Sequence, residues 1–136
     1  MTGFEQNLAG VVSCSVNVVD SDIYPSDEIG EGSVAISFSN GTRLRADYWR
    51  LLHKRSRRSS FDHRQKYGLP APIDAIAELR TALENSELVA ATLDKESADL
   101  IFLFDNDYKL QILTVTGHEI WEIHFPDGAG AYSNYL

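Results

Sequence analysis

Apolar and small or polar residues alternate along the stretch VAISFSNGTRLRA, residues 34–46. Val34, Ile36 and Phe38 lie two residues apart, and Leu44 resumes the alternation after the sequence SNGT. A period of two is typical of a strand with one buried face. An Asn-Gly pair between two such runs favours a tight turn. The pattern therefore predicts a β-hairpin.

A second stretch repeats this pattern later in the chain. LIFLFDNDYKLQI, residues 100–112, aligns without a gap on residues 34–46, and DNDY takes the place of SNGT at the turn. Further along, DYWRLLH aligns with EIWEIHF, so that Trp49 is matched by Trp121. These two alignments predict an internal duplication in which both tryptophans belong to the core.

Each unit is expected to start one strand earlier, with GVVSCSVNVV (10–19) and ELVAATL (87–93), so the units extend over about residues 10–53 and 87–125. Between them, LPAPIDAIAELRTALEN has apolar residues at helical spacing after two prolines, which predicts one principal helix near residues 72–85. The sequence thus predicts an α+β fold. We expect one domain that includes all 136 residues and about seven to nine antiparallel strands.

Composition is typical of a folded globular protein, with 43% hydrophobic and 24% charged residues. The chain does not begin with a positive segment followed by an apolar one, and it has no run of about 18 apolar residues. We therefore expect a cytoplasmic protein that does not span a membrane. Cys14 lies in an apolar run without nearby cations, which favours a buried thiol over a reactive one.

The charge is distributed unevenly. Nine of the twelve Lys and Arg residues, but only two of the twenty Asp and Glu residues, lie between Arg43 and Lys66, so this stretch carries +7 and the remainder −15. The segment 21–32 is expected to be an acidic loop because it is rich in Asp, Glu, Ser, Pro and Gly. Such polarity bears on partners and on steering rather than on the fold.

The stretch GHEIWEIHFPDG combines His118, Glu122 and His124 near one another in sequence. The histidines are six residues apart, which puts them on different faces of a helix and roughly 20 Å apart along a strand. Glu122 and His124 share a strand face, but a metal site needs a third ligand. The sequence therefore predicts no metal and no cofactor, and a solvated pair at these two positions.

A small hydrolase is a lesser alternative. Ser59, Ser60, Asp62 and His63 lie close together in sequence. Catalytic groups of this kind converge in space from distant parts of a chain, and no nucleophile elbow or glycine-rich oxyanion turn accompanies them. We therefore predict no catalytic residues and expect a polar hairpin or loop here.

The basic segment, residues 53–67, is the strongest candidate for binding nucleic acid. Its cations could neutralise phosphates, and its aromatic rings, with Tyr67 at the end, could stack on bases. The residues assigned to this alternative are Lys54, Arg55, Arg57, Arg58, Phe61, Arg64 and Lys66. The sequence pI of about 4.8 argues against this role, because domains that bind nucleic acid are commonly basic.

The order of the motifs resembles a family of small uncharacterised bacterial proteins built from two similar β-units. The resemblance rests on Phe38 to Leu44, Trp49-Arg-Leu51, Phe104 to Leu110, and the closing Glu119 to Gly128. It departs from the family pattern at Asp107, where glycine is expected, and in the basic segment. The resemblance implies no catalytic residues, and it implies that some related proteins are immunity proteins encoded near toxins.

These observations favour a non-enzymatic protein-interaction module. Because acidic residues dominate outside the basic segment, we expect an immunity-type protein that binds a basic toxin, and electrostatic complementarity would then raise the rate and specificity of association. The identity of the partner and the residues that bind it are not predicted. A homodimer is also compatible with the sequence, and nucleic-acid binding is the alternative.

Overall fold

The computed structural model describes residues 3–22, 32–118 and 120–135. The described residues form two α-helices and two antiparallel sheets, so the predicted α+β class is confirmed. In chain order the elements are α1 (Gly3–Ala9), β1 (Val16–Ser21), β2 (Val34–Phe38), β3 (Arg43–Ala46), β4 (Trp49–His53), β5 (Ser56–Ser59), a 3-10 helix (Ser60–Asp62), α2 (Ala75–Leu83), β6 (Leu88–Leu93), β7 (Leu100–Phe104), β8 (Lys109–Ile112), β9 (Trp121–His124), β10 (Gly130–Tyr132) and a second 3-10 helix (Ser133–Tyr135).

Each sheet combines three consecutive strands from one half of the chain with a hairpin from the other half. Sheet 1 has the order β1-β2-β3-β9-β10, and sheet 2 has the order β5-β4-β8-β7-β6. Only residues 47–48 separate β3 from β4, yet these two strands belong to different sheets. The two halves of the chain therefore exchange their hairpins, and neither sheet is built from one half alone.

The two sheets also pair their strands in the same register. Ala46 lies opposite Trp121 where β3 meets β9, and Ile112 lies opposite Trp49 where β8 meets β4. We call two residues matched when they occupy the same place in the two sheets. The duplication predicted from the sequence concerns the origin of this likeness and stays a prediction.

Both tryptophans are fully buried, as predicted. The indole N–H of Trp49 donates to the carbonyl of Gly32 at 2.7 Å, and the indole N–H of Trp121 donates to the carbonyl of Ala98 at 2.9 Å. A buried indole N–H that lacked an acceptor would cost free energy, so these bonds orient both rings in the core. A Cβ at Gly32 would lie 2.4 Å from the carbonyl oxygen of Ser60, which explains glycine at this close approach.

One continuous core joins the two sheets and both helices. Its largest fully buried side chains, besides the tryptophans, come from every layer of the molecule: Phe38, Phe102, Leu8, Ile36, Leu44, Leu79, Leu83, Leu88, Leu100 and Leu110. In the strands these residues alternate with exposed or half-buried ones. Alternation of this kind gives each sheet one inner face and one outer face.

The principal helix agrees with its prediction, and α2 lies inside the range 72–85 with the side chain of Asp74 accepting from the N–H of Ala77. The short helix α1 was not predicted. Its sequence buries only Leu8, so it carries little helical periodicity. The first strand starts at Val16 rather than at residue 10, because the chain turns after α1 and Ser13 has a positive φ of 76°.

The described residues form ten strands, which exceeds the predicted seven to nine. The strands β5 and β10 lie at the edges of their sheets and have only four and three residues. Edge strands of three or four residues carry too few positions to show a period of two. The predicted acidic loop, residues 21–32, lies largely outside the described residues.

Candidate functional site

The outer face of sheet 2 is the surface that points away from the core. Ten residues form two rows that run across its five strands, and each residue is paired with its neighbour in the row: Thr92, Ile101, Gln111, Arg50 and Ser59 in one row, and Ala90, Leu103, Lys109, Leu52 and Arg57 in the other. Residues opposite one another on a sheet face have Cβ atoms about 4.5 to 5.5 Å apart. The rows therefore form a continuous surface.

This outer face carries aliphatic side chains where the matched face of sheet 1 does not. Ile101 and Leu103 stand in the places that Ala35 and Ser37 occupy in sheet 1, and Leu52 stands in the place of His124. Leu103 is 39% exposed and Val89, next to this face in β6, is 55% exposed. Since the same fold accommodates Ala, Ser and His at the matched positions, the core of the fold does not require these aliphatic groups.

Three cations surround the aliphatic side chains. Lys109 and Arg57 lie opposite Leu52 on its two neighbouring strands, and Arg50 lies two residues before it on the same strand. The Nε of Arg50 donates to Oε1 of Gln111 at 2.6 Å. Among the described residues, none of the three cations forms an ion pair with a carboxylate, and the two rows contain no Asp or Glu. This surface is therefore apolar at its centre and positive around it.

The outer face of sheet 1 has the opposite character. There Arg45 lies among three carboxylates, at 2.7 Å from Asp47, 3.5 Å from Glu122 and 3.6 Å from Asp22. Arg45, Glu122 and Asp22 line a cavity of about 270 Å³ together with the neighbouring Arg43. We call Arg45, Asp22, Asp47 and Glu122 the Arg45 cluster. Its three carboxylates exceed its one guanidinium, so the cluster carries a net negative charge.

Burial and charge shift two pKa values in the Arg45 cluster. Burial acts to lower the pKa of Arg45, but the carboxylates of Asp47, Glu122 and Asp22 outweigh burial and raise this pKa above its ordinary value. Burial raises the pKa of Asp22; Arg45 opposes this shift, whereas Asp47 and Glu122 reinforce it. The Oδ2 atom of Asp22 is buried and accepts no hydrogen bond among the described residues. The cluster therefore stabilises the ionised form of Asp22 poorly.

The histidines of GHEIWEIHFPDG do not come together at a metal site. His124 is exposed on the outer face of sheet 1 with its Nε2 3.8 Å from Oε2 of Glu122, so these two residues form the solvated pair that was predicted. His118 lies in the loop before β9. In the part of the chain that the structure describes, no group of three or more His, Cys, Asp or Glu side chains could hold a metal ion.

The basic segment does not form one surface. Lys54 and Arg55 make the turn between β4 and β5, and Lys54 adopts a positive φ of 56°. Arg57 faces outward with its partner Leu52, whereas Arg58 lies opposite the buried Leu51 on the inner side. Arg57 and Arg58 therefore point to opposite faces of sheet 2, and only Arg57 belongs to the outer face described above.

Three other members of the basic segment have partners within the chain. Arg58 lies 2.8 Å from Glu78, and the ring of Phe61 stacks on that of Tyr48 with centroids 5.2 Å apart. The hydroxyl of Tyr67 donates to Asp62, and this hydrogen bond raises the pKa of Tyr67. Arg64 and Lys66 lie in the exposed loop that leads toward α2.

The polar residues considered for a hydrolase all bond to the nearby backbone. Ser59 accepts from the N–H of Phe61, and Asp62 accepts from the N–H of Ser59, which together form a capping box at the 3-10 helix. Ser60 Oγ accepts from the N–H of Trp49 at 3.2 Å, and Nδ1 of His63 accepts from the N–H of Ala75 at 3.1 Å. These contacts explain the four residues as parts of the local fold.

Cys14 is half-buried beside the core, and its thiol donates to the carbonyl of Gly10 at 3.8 Å.

Neither described helix has the length and apolar composition that a membrane span requires. Comparisons of the chain with protein-family models, with curated proteins and with solved structures find no match. The resemblance to the family of small bacterial proteins stays a prediction.

Proposed function

We propose that the chain is a non-enzymatic protein-interaction module whose binding surface is the outer face of sheet 2. One observation carries this proposal. On this outer face Leu103 is exposed and Ile101 and Leu52 are half-buried. The matched positions of sheet 1 have Ser37, Ala35 and His124. An apolar centre with a polar rim is the usual composition of a protein interface. Grouped aliphatic residues on a surface indicate a binding site more strongly than scattered ones.

Nucleic-acid binding through residues 53–67 is the weaker proposal. Proteins that bind single strands stack bases on aromatic rings, but the two rows on the outer face of sheet 2 contain no aromatic residue. Phe61 is stacked on Tyr48 and Arg58 is paired with Glu78. A salt-dependent affinity for mixed oligonucleotides that falls when Arg55 and Arg57 are replaced by Ala would support this alternative.

The immunity-type role is a second form of the interaction proposal, and the Arg45 cluster favours it. A basic toxin would require a negative surface, and the three carboxylates around Arg45 provide one. Sheet 1 would then be the binding face. Replacing Glu122 by Gln would weaken such a complex, whereas replacing residues on sheet 2 would not.

The test is affinity capture from an extract of the cells that produce the protein, with a triple variant that carries Leu52→His, Ile101→Ala and Leu103→Ser. Each substitution introduces the residue found at the matched position of sheet 1. Each CH₂ group buried at an interface contributes about 0.8 kcal/mol, so the loss of several should weaken binding at least about tenfold. The wild-type chain should recover a protein that the triple variant does not.

The control is Val18→Ser, which changes an aliphatic residue that is 49% exposed on the outer face of sheet 1. This variant should recover the same protein as the wild type. A melting temperature close to that of the wild type shows that the triple variant is folded. Equal recovery by the wild type, the control and the triple variant would show that sheet 2 is not the binding face.

A further inference from the structure

The charges on the outer face of sheet 2 identify the kind of partner that fits it. Elsewhere in this acidic chain, some cations are paired with carboxylates of the described residues: Arg45 with Asp47, Arg58 with Glu78, Arg80 with Asp20, and Lys95 with Glu5 at 2.9 Å. The cations of the outer face form no such pair among the described residues. A chain with twenty acidic and twelve basic residues has enough carboxylates to neutralise them.

The outer face of sheet 2 has an excess of positive charge that the matched face of sheet 1 lacks. Arg50 occupies the place that Glu122 occupies in sheet 1, so the charge at this position is reversed. Lys109 is matched by Arg43, which lines one cavity together with Asp22 and Glu122. The same position is therefore cationic in both sheets, but only in sheet 1 do carboxylates lie close to it.

We infer that the outer face of sheet 2 binds the carboxylate-rich surface of an acidic protein, with Arg50, Arg57 and Lys109 contacting the carboxylates around the aliphatic centre. This inference rests on the proposed function and specifies its partner. The net charge of −8 repels a long polyanion along its whole length. A local acidic patch is different, because screening limits its interactions to about 8 Å at physiological ionic strength.

The aliphatic centre further favours a protein over a nucleic acid. Leu52, Ile101 and Leu103 can be covered by apolar side chains of a partner, but they offer no ring on which a base could stack. Unpaired cations at the rim of an interface increase the rate of association and select partners of opposite charge. An acidic protein with apolar side chains at its binding surface would therefore contact both the aliphatic centre and the surrounding cations.

The test follows the backbone amide resonances of the full chain during titration with a short oligoglutamate peptide at low salt. We expect shifts at Arg50, Leu52, Arg57 and Lys109, and no shifts at Arg43 or His124. Lys109→Glu should weaken binding at least about tenfold, or about 1.4 kcal/mol. Arg43→Glu makes the same charge change at the matched position of sheet 1 and should leave the affinity unchanged. Shifts should diminish as salt is added.

Four outcomes would overturn the inference. The first two are no shift with the short oligoglutamate peptide, and shifts with an oligolysine of the same length alone, at the Arg45 cluster. The others are stronger binding of a single-stranded oligonucleotide to the same residues, and concentration-dependent self-association abolished by Lys109→Glu, which would make a second copy the occupant. The proposed function is tested separately. The aliphatic triple variant could lose its captured partner while Lys109→Glu retains it. That result would support the outer face of sheet 2 as the binding surface and would refute the inference that the partner is acidic.

Discussion

The two buried tryptophans should differ in how much stability they lose on replacement by phenylalanine. Trp49→Phe removes the only described donor to the carbonyl of Gly32. Trp121→Phe also removes a donor, but the carbonyl of Ala98 keeps the hydroxyl of Thr114, which donates to it at 2.7 Å. Among the residues that the structure describes, only the first substitution leaves a buried carbonyl without a donor.

The magnitude follows from this difference. Both indoles are fully buried, so the cavity that each substitution leaves contributes similarly, at about 24 cal/mol per Å³ of residual volume. A buried polar group without a partner costs about 1 to 3 kcal/mol. The free energy of unfolding should therefore fall by about 1 to 3 kcal/mol more in Trp49→Phe than in Trp121→Phe.

Urea denaturation followed by circular dichroism measures this difference directly, and thermal unfolding provides a second readout. For a chain of this size each 1 kcal/mol corresponds to roughly 4 °C in melting temperature, so the two variants should melt roughly 4 to 12 °C apart. Equal losses, or a larger loss in Trp121→Phe, would refute the assignment of the Trp49 indole as the donor on which the Gly32 carbonyl depends.

Two further predictions concern the turn of the second hairpin and the Arg45 cluster. Asp107 has a φ of 68° where the first hairpin has Gly41 with a φ of 94°, and a positive φ costs free energy in a residue that has a Cβ. Asp107→Gly should therefore raise the free energy of unfolding by up to about 1 kcal/mol. Gly41→Ala should lower it by about 1 to 2 kcal/mol. Because the folded-state pKa of Asp22 is raised above 3.8, the native state binds more protons than the unfolded state just above that pH, and stability falls as the pH rises through this window. Asp22→Asn should therefore melt at or above the wild-type temperature at neutral pH, with the difference closing near pH 3.8; a lower melting temperature at neutral pH would contradict the assignment.

Local pattern and turn chemistry predicted many of the elements correctly. The alternation in residues 34–46 and 100–112 corresponds to the hairpins β2–β3 and β7–β8, and the Asn-Gly pair lies at the turn. The helical periodicity located α2, and the burial of both tryptophans followed from their places in the two alignments. These features depend on residues close in sequence, where a period of two or of 3.6 is directly visible.

The exchange of hairpins could not be predicted from the same information. The alignment of 47–53 with 119–125 shows that β4 and β9 are alike, but a like strand can pair within its own half or with the other half. Both arrangements bury Trp49, Leu51, Trp121 and Ile123 on an inner face. The choice depends on the direction of the chain at residues 47–48, which a hydrophobic pattern does not specify.

The candidate binding face was missed for a different reason. LIFLF (100–104) is apolar at every position, and a continuous apolar run is typical of a strand buried on both faces. A usable signal was nevertheless present in the alignment of VAISF with LIFLF, where Ala35 and Ser37 are matched by Ile101 and Leu103. The predicted nucleic-acid site consisted of residues consecutive in sequence. Its outward cation Arg57 instead lies on the same face as Arg50 and Lys109, which come from other strands of the sheet.

The most direct test of the binding face is hydroxyl-radical footprinting of the chain, alone and in complex with its captured partner, read out residue by residue. If the partner binds the outer face of sheet 2, oxidation of Leu52, Ile101 and Leu103 should fall sharply in the complex. Val18 and His124, on the outer face of sheet 1, should be oxidised equally with and without the partner. Protection of Val18 and His124, with unchanged oxidation of the three aliphatic residues, would contradict the proposal and place the partner on sheet 1.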